Sequence, residues 1–294
     1  MSIISSAARW SDWSLEIADV LQNIPQESIS SKALQAALLE NRFCLYSQPI
    51  IPLTPQEGSL IHQEILLRMV GHDGQIIPPN KFLPDAEQYG LMPAIDRWVL
   101  ESFFNSLPNP SKCMGCWARG DYCGCLNSLN LSGSSINDEE FLNFLEEAVA
   151  SHLVPPQSLL FEITETVALL NIEKTRKFIS RLQNIGCQFA LDDFGTGMAS
   201  LAYLKELPLN FVKIDGMFVR DLTTNPVSEA IVSAIVQITQ VKGTQTIAEY
   251  VENGAILERL KALGVDYAQG FYLGKPQPVS WFNAEVAFLG QQRR

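Results

Sequence analysis

The chain has 294 residues, 47% apolar and 18% charged, which suits one large domain with a substantial core and excludes a disordered or low-complexity chain. Its formal net charge of −11 removes the basic footprint that general nucleic-acid binding needs, so no nucleic-acid polymer is expected as a partner; a phosphate-ester substrate would require bound cations to reverse the local field. No apolar run approaches the ~18 residues of a membrane span and no secretion signal opens the chain, so a cytoplasmic protein without membrane contact is expected.

Residues 1–31 read as an N-terminal linker or helical segment and residues 32–294 as the main domain. Trp10, Trp13, Ile17, Val20 and Leu21 recur at near-helical spacing over residues 10–22, and Pro25 ends that pattern. A second helix is predicted from about Ser31 to Asn41. The chain then alternates between short apolar runs and helical patterns. Eight runs stand out: Phe43–Ile50, Leu60–Leu67, Leu126–Leu131, Leu159–Thr164, Gln188–Asp193, Asn210–Asp215, Thr244–Tyr250 and Asp266–Phe271. Eight strands alternating with helices favour an α/β (β/α)8 barrel over an open sheet.

The punctuation between the runs is helical. Asn137 with Glu140 resembles a capping box, Asn225 before Pro226 a cap with proline in the first turn, and Gly186 and Gly264 helix-ending glycines. The long gap between the second and third strands should hold two helices, near Asn80–Gln88 and Pro93–Ser106. It also holds a cluster of four of the six cysteines, Cys113, Cys116, Cys123 and Cys125. Their C-x2-C-x6-C-x-C spacing is tight for a zinc framework, so reduced thiols in a variable segment are expected, with zinc as the alternative.

Polar residues recur at or near the strand ends. Glu64, Asn130, Glu162, Asp192, Asp193, Lys213, Glu249 and Gln269 all sit there. One strand-ending glutamate reads equally as a rim residue or a helix cap. Five carboxylates, two carboxamides and a lysine in register at the C-terminal mouth of a barrel are a different matter. Such a cluster repels itself unless cations neutralise it, and hard oxygen ligands suit two divalent ions, Mg²⁺ or Mn²⁺. A metal pair is also the usual device for cleaving phosphodiesters. Lys213, between Val212 and Ile214, must find anionic partners inside the barrel. His62, His72 and His152 match no metal-ligand spacing, and His62 reads as a core or rim residue.

These motifs, in order, resemble the EAL domain family of cyclic di-GMP phosphodiesterases: Tyr46-Ser47-Gln48-Pro49-Ile50, Glu64-Ile65-Leu66, Asn130-Leu131-Ser132, Glu162-Ile163-Thr164-Glu165, Asp192-Asp193-Phe194-Gly195-Thr196-Gly197, Lys213-Ile214-Asp215, Glu249 with Glu252, and Gln269-Gly270. The resemblance covers about residues 32–285. It implies a triosephosphate-isomerase-like barrel whose first strand runs antiparallel to the others, and hydrolysis of cyclic di-GMP to linear pGpG. By similarity, Glu64, Asn130, Glu162 and Asp192 hold one metal, and Asp192, Asp193 and Glu249 the second, with Gln269 nearby. The catalytic set is then Lys213, Glu249 and Glu64, with Lys213 orienting or deprotonating the attacking water. Glu165 anchors the loop after Asp193. Gln48, Arg68, Asp215, Glu252 and Gln269 contact substrate. Ca²⁺ is expected to inhibit, a homodimer is the expected assembly, and an upstream sensory or GGDEF domain is a possible partner. A degenerate member that only binds cyclic di-GMP or docks to proteins is the alternative. Three departures from the family pattern stand out: Ile65 for a small residue, Met198-Ala199 for an aromatic and a serine, and Tyr250 for a glycine.

Overall fold

Ten strands share one sheet in a computed structural model that describes residues 29–54, 61–107, 125–151, 155–195 and 201–279. Eight of them close a barrel: β1 (Phe43–Pro52), β2 (Ile61–Val70), β4 (Cys125–Asn130), β5 (Leu159–Thr164), β6 (Gln188–Phe194), β7 (Phe211–Ile214), β8 (Gln245–Ala248) and β9 (Tyr267–Gln269). From β2 through β9 the neighbours run parallel. Strand β1 is antiparallel to both β2 and β9 and closes the ring, as the resemblance implies. The two-residue strands β3 (Ile76–Ile77) and β10 (Gln277–Pro278) extend β2 and β1; they were not anticipated, because so short a pairing leaves no periodic signal.

Alternation along the strands divides the apolar residues into two sets. Ile65, Leu129, Phe161, Ile163, Leu191, Val212 and Ile214 belong to the main core between barrel and helices. Ile50, Leu126, Leu160, Ala190, Phe211 and Ile247 pack with Tyr267 as a separate cluster inside the barrel. Just above that cluster lies His62, 2% exposed, its Nε2 2.9 Å from Ser128 Oγ and its ring against Phe211 and Tyr267. It is a core histidine, and burial lowers its pKa to about 3.

The two helices in the long β2–β4 connection run over Leu83–Gln88 and Met92–Ser106. The helix before β1 covers Ile29–Leu39, and Asn41 beyond it takes a left-handed φ of 53°. Asn225 Oδ1 accepts from Val227 N at the start of the Pro226–Lys242 helix, and Gly264, at φ 80°, ends the Gly254–Leu263 helix. The expected capping box is displaced by one residue. Asp138 Oδ1 accepts from Glu140 N at 2.9 Å and from Phe141 N at 3.4 Å, while Asn137 donates backwards to Gly133 O. An ionised acceptor at 138 outcompetes the amide at 137 for the positive end of the helix. The pattern over residues 10–22 and Cys113, Cys116 and Cys123 lie outside the described residues. Among the described residues no helix is long and apolar enough to cross a membrane.

Candidate active site

Inward-facing positions within β2, β5, β6 and β7 bring Glu64, Glu162, Asp192 and Lys213 together, and Glu249 joins them one residue beyond β8; β2 runs six residues past Glu64, so that glutamate is set by register against β4 and does not end its strand. Lys213 is 1% exposed, and its Nζ lies 2.7 Å from Glu162, 3.0 Å from Asp192, 3.0 Å from Glu249 and 3.7 Å from Glu64. The odd lysine in the sequence therefore has four anionic partners. One ammonium cannot neutralise four ionised carboxylates, so the excess must be met by protons or by further cations.

The titration of these groups reports that excess. Burial would lower the Lys213 pKa, but the surrounding carboxylates outweigh it and push it well above its ordinary value. Glu162 is pushed well up, first by burial and then by Glu64 and Asp192 against the opposing pull of Lys213. Burial likewise raises Glu249 to about 8 and Asp193 to about 6, with neighbouring carboxylates adding to both. A divalent cation is the natural compensation for carboxylates held this way. Ligand atoms of Asp192, Asp193 and Glu249 lie within 4.8 Å of one another, close enough to share an ion. Glu162 Oε1 is buried and unpaired among the described residues, a further acceptor without a donor.

The carboxamides frame the cluster. Asn130 donates to Glu64 Oε1 at 2.8 Å, and Gln269 donates to Glu64 Oε2 at 2.7 Å. Gln269 also donates to Gln48 Oε1 at 3.2 Å, and Gln48 donates to Gly274 O. Arg68 lies further out on β2, over the Tyr46 ring at 5.4 Å. Asp215 caps the short Gly216–Val219 helix through Met217 N and adds to the charge felt by Asp193. Glu252 is exposed on the loop after Glu249 and is not drawn into the cluster.

Strand β6 ends in strain. Its register against β7 shifts between Leu191 and Phe194, and Asp193 adopts a φ of 54°. Asp193 N donates to Oδ1 of its neighbour Asp192 at 3.0 Å. Glu165, 1% exposed at the start of the helix after β5, accepts from Gly195 N at 2.8 Å. A buried carboxylate thus holds the chain two residues beyond Asp193. Sequence reasoning missed Asp96, which is buried in the Met92–Ser106 helix. It accepts from Ser132 N and Ser135 Oγ at 2.9 and 2.7 Å, fixing the turn just after Asn130. Burial raises its pKa to about 6. Its only signal was an aspartate on an apolar helix face.

Residues 31–276 match the EAL domain. The chain belongs to the EAL domain family. It is 40% identical over 244 residues to the cyclic di-GMP phosphodiesterase PdeB of Shewanella oneidensis, a match covering 83% of this chain and 28% of that protein. It is 39% identical over 246 residues to the cyclic di-GMP phosphodiesterase PdeF of Escherichia coli, covering 84% of this chain and 31% of that protein. The chain therefore spans about a third of the length of these relatives. Among solved structures, the FimX EAL domain from Pseudomonas aeruginosa bound to c-di-GMP superposes with a TM-score of 0.76 at 31% identity, covering 85% of this chain and 97% of that one.

Within the EAL fold two departures now have a place. Ile65 is 2% exposed and faces the main core, away from Glu64, so its size does not intrude on the carboxylates. Tyr250 has a φ of 53°, the left-handed region where glycine is unstrained. Met198 and Ala199 lie outside the described residues.

Proposed function

We propose that this EAL domain hydrolyses cyclic di-GMP to linear pGpG with two divalent cations, Mg²⁺ or Mn²⁺. The observation that carries the reading is the buried carboxylate cluster around Lys213, more acidic than one ammonium can balance. The relatives' activity and the c-di-GMP complex of the FimX domain support the same substrate. The donor set fits the ions, being all oxygen and over-charged. Glu64, Asn130, Glu162 and Asp192 would hold one, and Asp192, Asp193 and Glu249 the other. When bound, the pair lowers the pKa of water and neutralises charge developing on the phosphate.

The side chains do the remaining work in this reading. Lys213 Nζ orients or deprotonates the attacking water from among the carboxylates, and Glu64 and Glu249 complete the catalytic set. Gln269 holds Glu64 in place through its amide. Gln48, Arg68, Asp215, Glu252 and Gln269 would meet the dinucleotide, Arg68 being suited to a phosphate or a guanine edge. Glu165 keeps Asp193 in its strained pose by fixing Gly195. The working assembly is a homodimer, and a sensory or GGDEF domain upstream would supply the input. Incubating the chain with cyclic di-GMP and Mg²⁺ or Mn²⁺, then separating the nucleotides, should yield pGpG. Tight binding without cleavage would leave a receptor; neither binding nor cleavage would sink the reading.

A further inference from the structure

Tyr250 follows Glu249 directly and stands on the rim of the barrel mouth. Glu249 N donates to Ile214 O at the end of β7, and Val251 N donates to Gln269 O at the end of β9. The left-handed φ of Tyr250 is costly for a bulky side chain, and such residues persist where function demands them. Tyr250 remains 49% exposed, so burial in the core is not what holds it in this conformation. The ring covers Gly216, where any Cβ would collide with it, so a residue without a side chain clears its seat. The Arg220 guanidinium sits 4.1 Å from the ring centroid and is itself exposed. A strained backbone thus presents an aromatic ring and a cation together at the edge of an otherwise acidic mouth. Phe271 and Tyr272, 64% and 54% exposed, lie on the loop after β9, where Tyr272 N donates to Val251 O.

We propose that Tyr250, with Arg220 stacked on its ring, is a specificity-determining residue that holds one purine base of the substrate at this rim. The proposal rests on the cyclic di-GMP reading above and names the wall against which a guanine lies. A purine can lay its flat face on the Arg220 guanidinium plane, which the Tyr250 ring backs from behind. Stacking of this kind holds ground state and transition state equally, so it acts on KM and leaves kcat alone.

The test compares Tyr250→Phe, Tyr250→Leu and Tyr250→Gly with the parent. Cyclic di-GMP affinity is measured by calorimetry with Ca²⁺, and KM and kcat with Mg²⁺. Phenylalanine should preserve binding. Leucine and glycine should weaken it roughly 5- to 100-fold, the range for losing one base-stacking platform. Turnover at saturation should stay within about 3-fold in all three. Glycine relieves the left-handed strain, so its melting temperature shows whether the fold is intact even where leucine destabilises it. Unchanged affinity in the glycine and leucine variants, or a loss confined to kcat, overturns the proposal. If the parent itself neither binds nor cleaves cyclic di-GMP, the activity reading fails first and this assignment falls with it.

Discussion

The two ends of the barrel interior are built from the same strands and both bury side chains, yet they do opposite things. On β5, Leu160 is 0% exposed and Glu162, two residues on, is 1%; on β7 the pair is Phe211 at 3% and Lys213 at 1%. The lower half is stabilised by apolar burial, at about 25 cal/mol per Å². The upper half removes charges from water and must recover that cost through pairing. His62 with Ser128 is the seam between them. The lower half therefore holds a barrel closed around a mouth that, by itself, favours opening. Burial alone does not mark a stabilising residue; the partner of the buried group decides the sign.

Removing cations should break the contrast most completely. A chelator should abolish hydrolysis, and Mg²⁺ or Mn²⁺ should restore it, while Ca²⁺ inhibits because its looser coordination misplaces the attacking water. Full turnover in chelator would remove the metal reading. Next in size, Lys213→Met should cost roughly 10²–10⁴-fold in turnover, the range for a positioned proton-transfer group, which is the role proposed for it. Glu64→Ala should be at least as severe, since it removes a proposed cation ligand. The lysine has no chemical role if its variant turns over normally at saturating metal.

The lower half should respond in stability instead. Phe211→Ala should destabilise the chain by about 3–5 kcal/mol, read as a fall in denaturant midpoint, with the metal concentration for half-activity unchanged in the folded fraction. A changed metal requirement would mean that the two halves are not separable. Glu165→Ala lies between these cases. It should leave the barrel folded by thermal melt but raise the Mg²⁺ needed for half-activity, because Gly195 and then Asp193 lose their support. An unaltered metal titration breaks that link.

The smallest effect is on pH dependence without metal. Glu249 and Asp193, raised to about 8 and about 6, hold protons in the folded state that the unfolded chain has already released. Their stabilising contribution is present below the ordinary carboxylate range and is lost as pH rises through about 6 and about 8. His62, lowered to about 3, acts oppositely, and its contribution is lost as pH falls below 6.5. The melting temperature in chelator should therefore decline from near neutrality towards pH ~9, and Mg²⁺ should flatten the decline. A flat profile in chelator would show that the carboxylates do not carry these shifts.

The sequence alone determined what short-range pattern encodes. The eight strand runs, the helix-ending Gly264, the Asn225 cap and the polar residues ending the strands were all legible, because alternation and capping act over a few residues. Even there, Asp138 took the cap from Asn137, a contest between adjacent acceptors that only helix geometry settles. Tertiary structure alone decided the long-range meetings. Gln269 and Gln48, 221 positions apart, share a hydrogen bond because β1 closes the ring against β9. Lys213 finds four carboxylates from four separate segments, Asp96 pins the turn after Asn130, and Tyr250 accepts a left-handed backbone over Gly216. Periodicity tells each strand which face is inward. Barrel closure sets which inward residues meet, and at what height, and that depends on the register of every strand at once.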